Sequence, residues 1–328
     1  MIKKMKTGLT VGKFAPFHKG HHFLMESAYK QVDHMVVIIY DAPNQTDIPL
    51  NVRANWLRKL YPEAMIIEGW DVPIDLGWSE AIQQKHEQFI LSLLDGVSID
   101  AFFSSESYGL RMSQVLNCKN IIVDIDRSAI AISGTDIRND VFSLRSYLEP
   151  IVYKDLITTV AILGAPKTGK TELTVALAEA YHTVYVPDYE AYYRENYKKT
   201  GPLDESEYVL IAEKQLEIQE AMFQDAHKYL FVDTCALLTG IHSKQNHSRI
   251  NMPLEIQLCD INWGYDLIFV NASPQDRYHH RIIGELKMRK MPYFILSGSV
   301  QTRIHQVKSI LSRYRKFMNP MDLNVKGD

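Results

Sequence analysis

Two histidines three residues apart, His18 and His21, stand in the run Gly12-Lys13-Phe14-Ala15-Pro16-Phe17-His18-Lys19-Gly20-His21. At a helix start, that spacing puts both rings on one side. Each ring can donate a hydrogen bond to a phosphate oxygen, and a protonated ring adds charge. A second run, Ile132-Ser133-Gly134-Thr135-Asp136-Ile137-Arg138, supplies hydroxyls at Ser133 and Thr135, and close backbone approach at Gly134. Arg138 adds a guanidinium that can fork onto phosphate. A third run, Gly164-Ala165-Pro166-Lys167-Thr168-Gly169-Lys170-Thr171, has the spacing of a phosphate-binding loop. Backbone N–H groups there would cradle phosphate, Lys170 would reach the β- and γ-phosphates, and Thr171 would hold Mg²⁺. Asp233, at the end of Leu230-Phe231-Val232-Asp233, is the acid expected to share that ion. All of this is phosphate chemistry. Each feature also has a plainer reading, as exposed histidines, an N-cap serine or a capping aspartate.

These residues need elements that hold them at one edge. Residues 7–11 read as a strand, and residues 22–28 have helical apolar spacing, so the histidines fall at a strand–turn–helix junction. That junction is where open α/β sheets bind phosphate. Short apolar runs at 34–40, 65–68, 101–103 and 121–124 read as further strands. Helical patterns at 51–60 and 80–94 lie between them. This alternation predicts a Rossmann-like, doubly wound parallel sheet, with residues 12–21, 41–45, 104–109 and 124–138 around one crevice. Trp56 is expected to pack in the core beside Val52, Leu57 and Leu60, while Arg53 is expected to reach substrate phosphate. A second series begins at 158–163 and continues through strands at 184–186, 230–233 and 266–270 to a closing helix over 300–317. The two predicted α/β domains are residues 1–153 and 154–328. The cationic segment with Arg277, Arg281, Lys287, Arg289 and Lys290 reads equally as a solvated helix face or as a lid over a nucleotide.

Composition narrows the class. At 328 residues the chain has room for two cores, and a net charge of -3 gives no footprint for nucleic acid. Three cysteines, Cys118, Cys235 and Cys259, lie far apart and fit reduced thiols rather than a disulfide or metal framework. We read no leader and no membrane-spanning run, and expect a cytoplasmic protein without membrane insertion. The oligomeric state is left open.

The His-x-Gly-His and Ile-Ser-x-Thr-x-x-Arg runs together resemble the nucleotidyltransferase superfamily. Over nearly the whole chain, the order resembles the NadR family, in which a nicotinamide mononucleotide adenylyltransferase is fused to a ribosylnicotinamide kinase. The resemblance rests on the run from Gly12 to His21, on Arg53 with Trp56-Leu57, Gly77-Trp78-Ser79, Ser104-Ser105-Glu106 and Val123-Asp124, and on the run from Ile132 to Arg138. In the second half it rests on Ala161 to Gly164, Gly169-Lys170-Thr171, Asp188-Tyr189 and Phe231-Val232-Asp233-Thr234.

It implies ATP and nicotinamide mononucleotide as substrates, with Mg²⁺, and nicotinamide riboside as a further substrate of the second half. His18, His21 and Arg138 would stabilise transferred phosphate. Gly12, Lys13, Phe14, Ser133, Gly134 and Thr135 would bind the nucleotide. Arg53, Trp78, Ser105 and Glu106 would face the acceptor, with Trp78 stacked on the cationic ring. In the second half, Gly164, Lys167, Thr168, Gly169 and Thr171 would hold nucleotide, with Lys170 and Asp188 catalytic, and Thr171 and Asp233 on the metal. Two departures stand out. Ala191 occupies a position where the family has arginine, and Cys235 one where it tends to have aspartate. These predict intact nucleotide binding but weak or absent riboside phosphorylation. Two other readings remain open: a second half that only senses nucleotide, and a first half acting on a different phosphate acceptor.

Overall fold

Strands that are apolar along their whole length can be buried on both faces, and this chain has two sets of them. The computed structural model describes residues 4–73, 79–261 and 264–317. Packing divides the chain into two compact units that meet in sequence at Val152 and Tyr153.

Unit 1 runs β1 (Met5–Gly12), α1 (Lys19–Tyr29), β2 (Val32–Tyr40), α2 (Leu50–Leu60), β3 (Met65–Gly69), α3 (Glu80–Leu94), β4 (Ala101–Ser104), α4 (Gly109–Val115), β5 (Lys119–Ile122) and α5 (Gly134–Asn139). Its strands form one sheet in the order β3-β2-β1-β4-β5, with every pair parallel. Leu9, Ile38 and Phe102 lie in its core, against Ile90 and Leu94 of α3. The chain first winds outward from β1 to β3, then returns to place β4 on the other side of β1. That reversal opens a crevice at the carboxyl ends of β1 and β4.

The junction helix α6 (Pro150–Leu156) leads into unit 2. Unit 2 contains β6 (Thr158–Gly164), α7 (Lys170–Ala180), β7 (Tyr185–Val186), α8 (Tyr189–Asn196), α9 (Glu205–Met222), β8 (Tyr229–Asp233), α10 (Ala236–His247), α11 (Met252–Ile261), β9 (Leu267–Asn271), α12 (Arg277–Met288), β10 (Phe294–Leu296) and α13 (Val300–Leu311). Its sheet is again all parallel, in the order β10-β9-β6-β8-β7. Ile162, Phe231 and Phe269 fill the core between this sheet and Leu173 and Leu177 of α7. The winding reverses about β6, so the loop after β6 sits at the switch point.

The doubly wound parallel sheet expected for the first half is found there, and the second half, expected to be an α/β domain, has a parallel sheet wound the same way. The edge strand β10 did not show in the sequence, being three residues long with two of them exposed. The cationic segment forms α12, which buries Tyr278, His279, Ile282 and Leu286. Arg289, just past its end, pairs with Glu255 and Glu285. In this structure the segment is a packed helix. No helix among the described residues is long and apolar enough to cross a membrane.

Candidate active sites

In unit 1, α1 begins at the two histidines. His18 is the N-cap residue, and its Nδ1 accepts from the Gly20 amide at 3.1 Å. The His21 Nδ1 accepts in turn from the His18 amide at 3.3 Å, closing a capping box made from two imidazoles. The rings stack with centroids 3.7 Å apart. A Cβ on residue 20 would lie 3.0 Å from the His18 ring, so glycine lets the backbone approach. A ring nitrogen that accepts carries no proton, so in both rings the hydrogen sits on Nε2. Burial, then the charges of Arg127 and Arg138, push His18 down to about 4. Burial, with His18 and Arg138 nearby, holds His21 well below its ordinary value. At neutral pH both are uncharged Nε2–H donors. The added charge expected of a protonated histidine is absent, because burial disfavours the charged form and the nearby arginine charge adds to it.

Arg138 reaches across from α5. It donates to the Ala15 carbonyl at 3.0 Å and to Thr135 Oγ1 at 2.9 Å. A Cβ at position 134 would stand 3.1 Å from its guanidinium and 3.7 Å from His18 Nε2. Glycine thus keeps open the space between the two donors. A pocket of about 190 Å³ here is lined by Gly12, Lys13, Phe14, His21, Ser133 and Arg138, among others. Ser133 behaves differently from the expectation. Its hydroxyl accepts from the Asp136 amide and donates to the Asp136 carboxylate at 2.5 Å, so it caps α5 rather than standing ready for phosphate. Arg127, which the sequence reading passed over, also lines this pocket.

A second cavity of about 350 Å³ shares Val11, Lys13, Tyr40, Glu106 and Tyr108 with the first. Tyr108 donates to the Val11 carbonyl at 2.9 Å and so stands over the end of β1. Phe89 and Ile90 from α3 close the far side. Together they make an aromatic-walled space beside the phosphate pocket, with Glu106 in both. Ser105 lines the phosphate side only. Tyr40 and Tyr108 were missed by the sequence reading; aromatics at the carboxyl ends of strands flanking the crevice were the available signal. Trp78 lies outside the described residues.

Arg53 is a correction. It is 0% exposed. It donates to the carbonyls of Ile48, Lys13 and Tyr40 and pairs with Asp41 at 3.1 Å. Its charge ties the loops after β1 and β2 together and does not meet the crevice. Trp56, expected in the core, is buried there.

In unit 2 the phosphate loop follows β6. Gly164 has φ 156°, and a Cβ there would lie 2.7 Å from Thr168 Oγ1; Gly169 has φ 77°. Both positions need glycine. Lys167 also takes a left-handed φ of 64° within the loop. The Lys170 ammonium rests 3.4 Å from the Ala165 carbonyl, above its own loop. Thr171 donates to Asp233 Oδ2 at 2.5 Å. Asp233 Oδ1 is buried with no hydrogen-bond partner among the described residues. Burial, only partly offset by Thr171 and reinforced by the nearby Asp188 charge, pushes this carboxyl up to about 6. An orphaned carboxylate oxygen next to a hydroxyl fits a small oxygen-seeking cation such as Mg²⁺, which takes few protein ligands. Thr171 and Asp233 would hold it. No larger group of metal-ligating side chains occurs among the described residues.

Asp188 caps α8 by accepting from the Ala191 amide at 3.1 Å. One turn on, Arg194 donates to Glu190 at 3.0 Å. A cation is thus present near position 191 although residue 191 itself is alanine. Cys235 is buried, and does not line the cavity that holds Glu190 and Arg194.

The two folds and their crevices define a nucleotidyltransferase-type unit followed by a phosphate-loop unit. A cytidylyltransferase-like family matches residues 9–140, and an AAA domain family matches residues 159–303. The trifunctional NAD biosynthesis/regulator protein NadR of Escherichia coli (strain K12) is 24% identical over 300 residues, covering 83% of this chain and 70% of that protein. The protein of the same name from Salmonella typhimurium gives the same figures. Two crystal structures of NadR protein, in complex with NAD and AMP-PNP and in complex with NR, align with a TM-score of 0.58 at 18% identity. They cover 94% of this chain and 96% of theirs. The chain is thus similar to NadR proteins over most of its length.

Proposed function

We propose that unit 1 transfers AMP from ATP to nicotinamide mononucleotide, yielding NAD and pyrophosphate, and that unit 2 is a kinase-like domain that binds ATP or GTP with Mg²⁺. The observation that carries the first reading is His18 Nε2 set opposite Arg138 across the gap kept open by Gly134, with His21 lining the same pocket as Arg138. A phosphate monoester is already ionised at pH 7, so its attack on the α-phosphorus of ATP needs no general base. Catalysis then rests on placing the reactants in line and on stabilising charge at the five-coordinate phosphorus. Fixed N–H donors and one guanidinium suit that task without reorganising. The adjoining aromatic cavity suits a cationic pyridine ring, which favours aromatic faces and a nearby carboxylate such as Glu106.

In unit 2, the backbone of the loop from Gly164 to Thr171 would cradle the phosphates, and Lys170 would swing from Ala165 onto them. Mg²⁺ at Thr171 and Asp233 would neutralise charge between the β- and γ-phosphates. Two relatives are NAD biosynthesis proteins by name, and two solved NadR structures hold NAD with AMP-PNP and NR, which supports the same reading. The test supplies ATP or CTP with nicotinamide mononucleotide or phosphopantetheine, one pair at a time, and separates the products. ATP with nicotinamide mononucleotide should turn over fastest. Faster turnover with phosphopantetheine or with CTP would overturn this reading of unit 1.

A further inference from the structure

One wall of the aromatic-walled cavity in unit 1 is a helix that apolar packing holds at one end. Of the 15 residues of α3, Ile90 and Leu94 are buried, and both lie in its C-terminal half. Residues 80–89 nevertheless supply Gln83, His86, Glu87 and Phe89 to the cavity of about 350 Å³. Phe89 rests on Gly69 at the end of β3, where a Cβ would stand 2.8 Å from its ring. Further toward the N-terminus, a polar clasp ties α3 to α4. Arg111 of α4 donates to both oxygens of Glu80 at 2.7 Å. It also donates to both oxygens of Glu87, one of them at 3.3 Å. All three guanidinium nitrogens are thereby engaged. Glu80 and Glu87 are two helical turns apart, so one face of α3 presents both carboxylates. The clasp lies at the surface, with the Arg111 and Glu80 side chains 33% and 65% exposed. A lone ion pair there is worth little. A forked guanidinium closing a network over two carboxylates is the arrangement in which exposed charges do count.

We propose that Arg111 is a positioning residue for unit 1: its clasp on Glu80 and Glu87 holds α3 as the wall of the cavity and so sets affinity for the pyridine mononucleotide. The inference rests on reading unit 1 as an adenylyltransferase. Glu80 lies outside the cavity lining, so its effect on the acceptor passes through Arg111 and the placement of α3. The reacting phosphates would lie in the neighbouring pocket, which neither Arg111 nor α3 lines. Loss of the clasp therefore weakens binding of the acceptor and spares the transfer step.

The test measures initial rates of NAD formation by the full chain, with nicotinamide mononucleotide and ATP varied in turn. Arg111→Ala should raise the KM for the mononucleotide by about 5-fold, with kcat and the KM for ATP nearly unchanged. Glu80→Ala should shift the same constant in the same direction. The two together should do little more than Arg111→Ala alone, as for residues acting through one contact. Arg111→Lys, which keeps the charge but loses the fork, should recover part of the loss. Added salt should lift the wild-type KM more than that of Arg111→Ala, which has no clasp left to screen. Hydrogen exchange read by mass spectrometry should be faster over residues 80–89 in Arg111→Ala than in the wild type, and the same over β1. An unmoved mononucleotide KM in both Arg111→Ala and Glu80→Ala would overturn the proposal. So would unaltered exchange over residues 80–89, or a loss confined to kcat. A wild-type chain that makes no NAD would instead defeat the adenylyl-transfer reading and the acceptor role with it, and the exchange comparison would still decide whether the clasp holds α3.

Discussion

Neutral histidines held by their own backbone make a rigid donor pair, and their burial has a consequence for stability. Unfolded, His18 and His21 would take up a proton near pH 6.5. Folded, His18 does so only at about 4, and burial holds His21 well below its ordinary value. Below pH 6.5 the unfolded chain therefore binds more protons, and stability falls as pH drops through the window from about 6.5 toward 4. Between pH 7 and pH 5, the thermal midpoint of the wild-type chain should fall more steeply than that of His18→Asn, which keeps a capping oxygen but cannot titrate. Equal slopes in scanning calorimetry would contradict the assignment. Arg53 gives a second prediction at this scale. Removing a fully buried cation that holds three carbonyls and Asp41 should destabilise unit 1 by about 3 kcal/mol. Arg53→Ala should therefore lower the unfolding midpoint while leaving the KM for ATP nearly unchanged in the protein that remains folded. A large rise in KM with normal stability would restore the substrate-binding role first expected of it.

At the scale of elements, the phosphate loop is shaped from outside. The Thr168 carbonyl accepts from Asn271 Nδ2 at 3.1 Å, at the end of β9, and from an Arg303 guanidinium nitrogen at 2.6 Å, on α13. A trans peptide points its C=O and the following N–H in opposite directions. Pinning the Thr168 carbonyl outward therefore turns the Gly169 N–H toward the phosphate cradle. Arg303→Ala should weaken nucleotide binding to unit 2 by roughly 5- to 10-fold, with Arg303→Lys restoring part of it. Unchanged affinity in Arg303→Ala would show that the loop holds its shape alone. Local spacing made much of this scale legible. The strand–turn–helix context of both phosphate sites was visible because glycine positions and apolar runs are adjacent in sequence. Arg303 and Asn271 were not visible, since each reaches the loop from more than a hundred residues away. Arg53 misled for a related reason. A lone arginine on an amphipathic helix looks like a surface cation, and only the carbonyls brought by two other segments make it a buried strut.

Across the whole molecule, two parallel-sheet units each carry a proposed phosphate site at their own switch point, and the composition offered no competing binding surface. Alternating strands and helices made the two-unit architecture legible. The cavity of unit 2 that holds Glu190 and Arg194 was not, because its lining residues Glu190, His242 and Tyr278 come from three helices whose spacing in sequence carries no shared pattern. The division of labour predicts separable defects. Lys170→Ala should abolish nucleotide binding in unit 2 and leave unit 1 turning over, and His21→Ala should do the reverse. Retained nucleotide binding by the Lys170→Ala loop would remove that lysine from the site. The central claim, that unit 1 makes NAD, is tested most directly by incubating the full chain with ATP, Mg²⁺ and nicotinamide mononucleotide and following NAD and pyrophosphate by chromatography. The account predicts that the two appear in equal amounts, that the rate falls about 100-fold in His21→Ala, as for a lost oxyanion donor, and that it is unchanged in Lys170→Ala. A near-normal rate in His21→Ala, or no NAD from the wild-type chain, would contradict it.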